Sequence, residues 1–197
     1  VASLLDSEKN TYIFFSSRKV YKSKENIKEN DKLNPLSNYS KNKLITENFL
    51  KSTLKSNLLI LRISNIIGFK LKFRKNLHKT FVDLFYEKAK KGFIYDNGNR
   101  FKDFLSVKKF SQLLVMIIKK DLRGIYNVSI GKKIYLNQII NWLNKFNKEP
   151  LKVVKNKFTN DQGFYLNNKK LMSKIKIRNE LSELKKECLN LSKKLFN

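Results

Sequence analysis

Cysteine, histidine and glycine are scarce in this 197-residue chain, and each scarcity argues against a class of protein or site. Cys188 is the only cysteine, so the chain cannot form an intramolecular disulfide, which fits a reducing, cytoplasmic location. His78 is the only histidine, so a structural zinc site built from Cys and His ligands is not expected. The six glycines are dispersed, and the sequence contains no glycine-rich turn of the kind that binds phosphates.

Long apolar runs are missing as well. The longest apolar stretches, NLLILRISNIIGF and FSQLLVMII, fall short of the roughly 18–20 residues that a membrane-spanning helix needs. Asp6, Glu8 and Lys9 interrupt the start of the chain, which argues against a secretory signal there. We therefore expect a protein that does not interact with membranes.

A formal charge of +27 suggests binding to nucleic acid. The kinds of basic residue that carry this charge argue against a specific nucleic-acid site. Only six of the 43 basic residues are arginine, the residue whose planar fork best reads bases and phosphates. The lysines are scattered through nearly every predicted element, and their abundance together with asparagine and isoleucine is typical of a coding bias. We expect weak, salt-dependent adsorption to polyanions and no specific nucleic-acid partner.

Runs of β-branched and aromatic residues alternate with stretches of helical periodicity along the chain. The predicted strands are Thr11–Ser17, Asn57–Ile67, GFIY, DFLSV and GIYNVSI. The predicted helices run from about Leu36 to Ser56, from about Leu77 to Lys91, and through KKFSQLLVMIIKK, YLNQIINWLNKF and the leucine stripe near the C-terminal end. The alternation predicts an α/β fold with a mostly parallel sheet.

Tyr39 and Lys43 are four residues apart in one predicted helix, so they share a face. An ammonium group beside a phenol stabilises the phenolate, and such a tyrosine can act as an acid or base near neutral pH. Ser17, at the end of the preceding strand, can donate a hydrogen bond to the same reacting oxygen. The alternative is a charge-rich helix without a catalytic role, because this spacing arises often by chance in a lysine-rich chain.

Four further motifs, in sequence order, favour the catalytic interpretation. The chain resembles the extended short-chain dehydrogenase/reductases, and more narrowly the NAD-dependent epimerase/dehydratase family that modifies nucleotide sugars. The resemblance covers about Thr11 to Leu143. The matching residues are Ser16, Ser17, Val20 and Tyr21; Pro35, Tyr39, Lys43 and Glu47; Arg62, Asn65 and Gly68; Lys102, Asp103 and Phe104; and Gly124, Tyr126, Asn127 and Val128.

The resemblance implies a fold and a set of roles. The expected fold is the C-terminal part of a Rossmann-like parallel sheet within residues 1–132, with interleaved segments of a smaller α/β substrate-binding region that continues through residues 133–197. Tyr39 would be the acid/base, Lys43 would bind the ribose of NAD or NADP, and Ser17 would orient the reacting group of a nucleotide-sugar substrate. Asn65 and Lys102 would contact that substrate. A homodimer is also expected from the family.

Departures from the family pattern modify these expectations. The missing glycine-rich turn predicts a fragment without the dinucleotide cradle, and Lys109 stands where the family usually has an aspartate. Arg18 and Lys19, which follow Ser17, favour an epimerase or reductase over a dehydratase. The alternative function is a non-catalytic fragment or a basic binding module. Structural roles are expected for a further set of residues: Asn127, Trp142, Cys188 and the helix-face His78.

Overall fold

Strands and helices alternate along the part of the chain that the structure, a computed structural model, describes: residues 10–68, 80–96, 99–155, 163–177 and 180–196. The strands are β1 Tyr12–Ser17, β2 Leu58–Ile63, β3 Asn65–Ile67, β4 Phe93–Asp96, β5 Phe101–Lys102, β6 Phe104–Ser106, β7 Gly124–Val128, β8 Ile134–Tyr135 and β9 Lys152–Lys155. The helices are α1 Asn38–Leu54, α2 Phe81–Ala89, α3 Val107–Lys119, α4 Leu136–Leu143, α5 Lys169–Ile175 and α6 Leu181–Phe196. The predicted α/β class is confirmed.

A parallel sheet of three strands, in the order β1-β2-β7, forms the centre of the fold. Every residue of β2 except Ile63 is buried, as expected for a parallel strand covered on both faces. Leu58 and Ile60 pack with Leu50 and Leu54 of α1. Their neighbours in β2 point to the opposite face and join the main hydrophobic core, because successive side chains of a strand alternate between faces.

The main core continues into the second half of the chain. It includes buried residues of α3, α4, α5 and α6 together with β2 and β7, so it links residues on both sides of position 132. Leu184, Cys188 and Leu191 of α6 are buried in it, which confirms the predicted amphipathic helix. Burial raises the pKa of the Cys188 thiol to about 12, in keeping with its predicted role as a small buried hydrophobe. Trp142 packs at the edge of the same core.

The segment Asn57–Ile67, predicted as one strand, forms two strands in different sheets, so that prediction was wrong. The chain leaves the central sheet at Ser64, whose backbone N–H donates to the Val128 carbonyl at 3.0 Å. The Ser64 hydroxyl donates to the Asp103 carbonyl at 2.6 Å, and β3 then pairs with β6. These bonds divert the chain towards the second half of the fold.

Two predicted boundaries also move because side chains cap the helices. The helix predicted from Leu77 begins at Phe81: Thr80 is extended and its hydroxyl accepts from the Asp83 backbone N–H at 3.2 Å, while residues 77–79, and with them His78, lie outside the described part. The predicted strand DFLSV ends at Ser106, which caps α3 by accepting from the Lys109 backbone N–H.

Four short elements were not predicted: β5, β8, β9 and α5. Strand β8 pairs antiparallel with β5, and β9 pairs parallel with β4, most of which was predicted as a strand. No helix within the described ranges is long and apolar enough to cross a membrane.

Candidate active site

Ser17 ends β1 and caps the turn of 3-10 helix at Arg18–Val20. Its backbone is extended, and its hydroxyl oxygen accepts a hydrogen bond from the Lys19 backbone N–H at 3.2 Å. This arrangement uses the oxygen of Ser17 as an acceptor. The hydroxyl proton can therefore be donated to a ligand at the carboxyl end of the sheet, which is where ligands bind in open α/β folds.

Helix α1 presents Tyr39 and Lys43 at the same end of the sheet. A reciprocal pair of hydrogen bonds between Ser37 and Ser40 fixes the start of the helix, and Tyr39 lies in its first turn with 52% of its surface exposed. The Lys43 ammonium donates to the Phe15 carbonyl at 2.8 Å and lies 5.8 Å from the centroid of the Tyr39 ring. The predicted shared face is thus present, and it is attached to β1.

These contacts bring Tyr39 and Lys43 together. Ser17 lies two residues after Phe15, whose carbonyl accepts the hydrogen bond from Lys43. Among the described residues, Ser17 and Tyr39 make no direct hydrogen bond. The Lys19 backbone bonds to Ser17, and the Lys19 ammonium lies 5.6 Å from the centroid of the Tyr39 ring, so Lys19 links the two.

Glu47, one turn after Lys43, joins a buried ion pair whose role the sequence interpretation missed. Glu47 and Arg62 are 0% and 1% exposed. The Arg62 Nε and Nη2 donate to the two carboxylate oxygens of Glu47 at 3.0 and 2.6 Å, and the Ser16 hydroxyl donates to Oε1. The two turns of α1 that carry Lys43 and Glu47 are therefore tied to adjacent residues of β1.

A hydrogen-bond network connects the Glu47–Arg62 ion pair to Tyr21 and Asn127. Arg62 Nη1 donates to the Tyr21 hydroxyl at 2.8 Å, and that hydroxyl donates to Asn127 Oδ1 at 2.9 Å. Burial raises the pKa of Tyr21 to about 12 although Arg62 acts in the opposite direction, so this phenol stays protonated. The Asn127 amide donates to the Ile27 carbonyl at 2.9 Å, which agrees with its predicted structural role.

Two signals in the sequence pointed to this ion pair. Glu47 follows Leu44 and precedes Leu50 and Leu54 at helical spacing, so it lies on the apolar side of α1. Arg62 is the one charged residue within the apolar run of β2. When an acidic and a basic residue each interrupt a buried apolar pattern, the sequence favours an ion pair between them, because a buried charge requires a partner.

Asn65 and Lys102, the predicted substrate contacts, lie in a separate group around Asp103. The Asn65 amide donates to the Asp103 carbonyl at 3.1 Å. Lys102, the last residue of β5, directly precedes Asp103 and pairs with Ile134 of β8. The Asp103 carboxylate is fully buried and accepts backbone N–H bonds of 3.1 Å from three residues: Ile130, Gly131 and Leu166. Burial raises the pKa of Asp103 to about 7 against the effect of these donors.

Lys109, which departs from the family pattern, has a partner of its own. Its ammonium lies 2.8 Å from a carboxylate oxygen of Glu183 in α6, with the lysine side chain 8% and the glutamate side chain 44% exposed. A positive charge on α3 is therefore matched by a negative charge on α6. Lys109 thus contributes to the attachment of α6.

Tyr39 and Lys43 place a phenol and an ammonium group together at the carboxyl end of β1, where ligands bind in open α/β folds. Both groups can donate hydrogen bonds, so they are chemically compatible with the hydroxyl groups of a ribose. The pyrophosphate of a dinucleotide needs a turn with closely spaced glycines, and the six glycines of this sequence do not provide it. The compatibility is therefore limited to a ribose and does not extend to the pyrophosphate.

Comparisons with known proteins concern the family and the fold of the chain. The model of the NAD dependent epimerase/dehydratase family matches residues 1–129. A UDP-N-acetylglucosamine 4-epimerase from Methanobrevibacter ruminantium in complex with UDP-N-acetylmuramic acid is similar with a TM-score of 0.73 and 24% identity, over 92% of this chain and 61% of that one. No curated protein matches the chain.

Two further structures share the fold. A UDP-glucuronic acid 4-epimerase from Bacillus cereus in complex with NAD has a TM-score of 0.77 and 16% identity, over 100% of this chain and 66% of that one. A dTDP-glucose 4,6-dehydratase from Bacillus anthracis in complex with NAD has a TM-score of 0.70 and 18% identity, over 93% and 60%. The chain therefore spans less than two thirds of the length of the structures it matches.

Proposed function

Because this chain belongs to the NAD-dependent epimerase/dehydratase family, we propose that it carries the acid–base residues of an NAD- or NADP-dependent epimerase or reductase that acts on a nucleotide-activated sugar. The observation that carries the proposal is the attachment of Lys43 to the Phe15 carbonyl, which fixes Lys43 beside Tyr39 at the carboxyl end of β1.

Each residue of the group has a separate task in this proposal. In an epimerase the half-exposed Tyr39 takes the proton of a sugar hydroxyl as hydride leaves the same carbon, and it returns the proton when hydride is added to the opposite face of that carbon. In a reductase Tyr39 only donates a proton to the sugar carbonyl oxygen as hydride is added to the carbon. Ser17 donates its hydroxyl proton to the same sugar oxygen and so orients it. Lys43 holds the ribose next to Tyr39. The bound nicotinamide supplies the acceptor and donor of hydride.

We further propose that this chain provides the remaining contacts with the substrate, and that a segment outside its sequence provides the contacts with the cofactor pyrophosphate. Lys102 would attract the diphosphate of the sugar nucleotide as a point charge, without the bidentate geometry of an arginine, and Asn65 would border the sugar. A glycine-rich segment would bind the pyrophosphate of the cofactor. The coverage of 60–66% in the similar structures supports this division.

The chain also offers a surface for the proposed homodimer. Ile45 and Phe49 are one turn apart on α1 and are 65% and 58% exposed. Substitution of Phe49 by lysine should shift a dimer to monomer in analytical ultracentrifugation, and an unchanged sedimentation coefficient would place the contact elsewhere.

The test of the catalytic proposal uses Tyr39→Phe in protein expressed from the complete reading frame. We expect turnover of a nucleotide sugar to fall by about 10²–10⁴-fold, the range typical of a lost general acid or base. The dissociation constant for NAD should change little. Tyr86→Phe, on α2, is the matched control and should keep full turnover. Undiminished activity of Tyr39→Phe would eliminate Tyr39 as the proton carrier.

A second experiment tests the division of the cofactor site. Titration of the 197-residue chain with NAD in a calorimeter should show no saturable binding, because the pyrophosphate contacts are missing. Micromolar affinity would show that the cofactor site has been misassigned. If neither turnover nor nucleotide-sugar binding is found in any form, the chain is a non-catalytic fragment or a basic binding module.

A further inference from the structure

Two basic residues directly follow Ser17 and face different neighbours. Arg18 packs its guanidinium over the Phe164 ring, 3.7 Å from the ring centroid. Lys19 is exposed and extends its ammonium towards the Tyr39 ring. The turn at the end of β1 therefore places the Lys19 ammonium near the ring of Tyr39, two residues after Ser17.

A cleft of about 220 Å³ opens next to these residues. Its described lining includes Arg18, Lys19, Ser23, Leu36 and Ser37, and none of the described lining residues is acidic. The two cations of this lining suit a small anionic group, since charge-assisted hydrogen bonds from ammonium or guanidinium groups to a carboxylate are among the strong ones. The apolar Leu36 can cover the carbon skeleton of the same ligand.

Lys19 and Lys43 both approach Tyr39, but only one of them is committed to the protein. Lys43 donates to the Phe15 carbonyl, whereas Lys19 has no carboxylate partner within the described part of the chain. The Lys19 ammonium can therefore bind a ligand without breaking an ion pair.

We propose that this cleft is a subsite for a carboxylate on the sugar, so that the substrate is a nucleotide-activated uronate in preference to a neutral hexose. The inference rests on the proposed function, because it takes the reacting hydroxyl to lie at Tyr39 and Ser17. A substituent on the neighbouring ring carbon then lies beside Lys19. The diphosphate is an alternative source of negative charge, but the sugar ring separates it from the reacting hydroxyl.

The test compares UDP-glucuronic acid with UDP-glucose, which differ only in a carboxylate and a hydroxymethyl group. Dissociation constants are measured by calorimetry at fixed ionic strength for the 197-residue chain and for the Lys19→Met and Lys22→Met variants. We expect the unsubstituted chain to prefer the uronate about tenfold, as a charge-assisted contact predicts. Lys19→Met should lose most of this preference while its affinity for UDP-glucose changes little.

Lys22→Met separates a local contact from the attraction of a highly positive protein for any anion. Lys22 is exposed and lies three residues after Lys19, and its replacement removes the same charge, so this variant should keep the preference. Equal weakening of both ligands by Lys19→Met would assign Lys19 to the diphosphate and overturn the proposal. Equal affinities in the unsubstituted chain would also overturn it, and the proposed function would stand. Failure of both ligands to bind either the 197-residue chain or the protein expressed from the complete reading frame would contradict the proposed function itself.

Discussion

Helix α1 carries two polar groups with opposite surroundings: Glu47, paired with Arg62, and Tyr39, which lies beside Lys43. The Glu47–Arg62 pair is almost completely buried and uses both carboxylate oxygens in hydrogen bonds. Tyr39, two turns earlier than Glu47, is half exposed, and the Lys43 between them is attached to a strand carbonyl. The buried group can only stabilise the fold, whereas the exposed group can reach a ligand, although both belong to the same sequence motif.

The strongest test of this difference is Arg62→Met. We expect it to lower the free energy of unfolding by about 3–5 kcal/mol, because the Glu47 carboxylate would remain buried without its partner. Urea denaturation followed by circular dichroism measures the change. Lys24→Met, which removes an ion pair that is largely at the surface, should cost less than about 1 kcal/mol. Similar losses in the two variants would contradict the distinction.

Asp103→Asn tests the second buried carboxylate through its pH dependence. The pKa of Asp103 is raised from its ordinary value near 3.8 to about 7. Between these values the folded state holds a proton that the unfolded state has released, so the free energy of unfolding falls as pH rises from about 4 to 7. Asparagine cannot titrate, and this contribution disappears in the variant.

The measurement is urea denaturation of both proteins at pH 5 and pH 8. The unsubstituted protein should lose stability relative to Asp103→Asn on the order of 2–3 kcal/mol between these values. Parallel behaviour would mean that the three backbone donors keep Asp103 ionised throughout.

The ion pair of Lys109 and Glu183 joins a buried charge to an exposed one, because only the lysine side chain is buried. Glu183→Ala leaves the Lys109 ammonium without its partner and should cost about 1–2 kcal/mol. Lys109→Met leaves a carboxylate that water can reach, so a loss below about 0.5 kcal/mol is expected. Thermal denaturation ranks the two variants. The reverse order would show that Lys109 is stabilised mainly by packing of its stem.

The smallest expected effect on stability is that of Tyr39→Phe. A half-exposed phenol contributes little to folding, so the free energy of unfolding should change by less than about 0.5 kcal/mol. Denaturation in urea, run on the same preparation as the turnover assay, provides the comparison. A loss above about 1 kcal/mol would mean that a fall in turnover reflects unfolding and not chemistry.

The sequence predicted the elements whose pattern is local. The apolar run of β1 and the leucine stripe of α6 were identified because β-branched residues and helical periodicity mark them directly. The division of β2 from β3 was missed because it depends on Ser64 bonding to Asp103, 39 residues away. The strands β8 and β9 and the helix α5 are too short to show a clear period.

In the site, too, local patterns were predicted and contacts between distant parts of the chain were missed. The shared face of Tyr39 and Lys43 follows from their spacing in one helix and is present in the structure. Glu47 and Arg62 each interrupt an apolar pattern, which indicates that each is buried, but their contact joins a helix to a strand and was missed because it is tertiary. Residue type alone did not show that Glu47 is buried and Lys19 is exposed.

The burial of Cys188 gives the chain a built-in chemical reporter. This thiol is the only one in the sequence, and it lies at 0% exposure on α6. A thiol reagent can reach it only when α6 separates from the core, so the rate of modification measures how often that helix opens. The motion of the last helix can thus be followed without introducing a label.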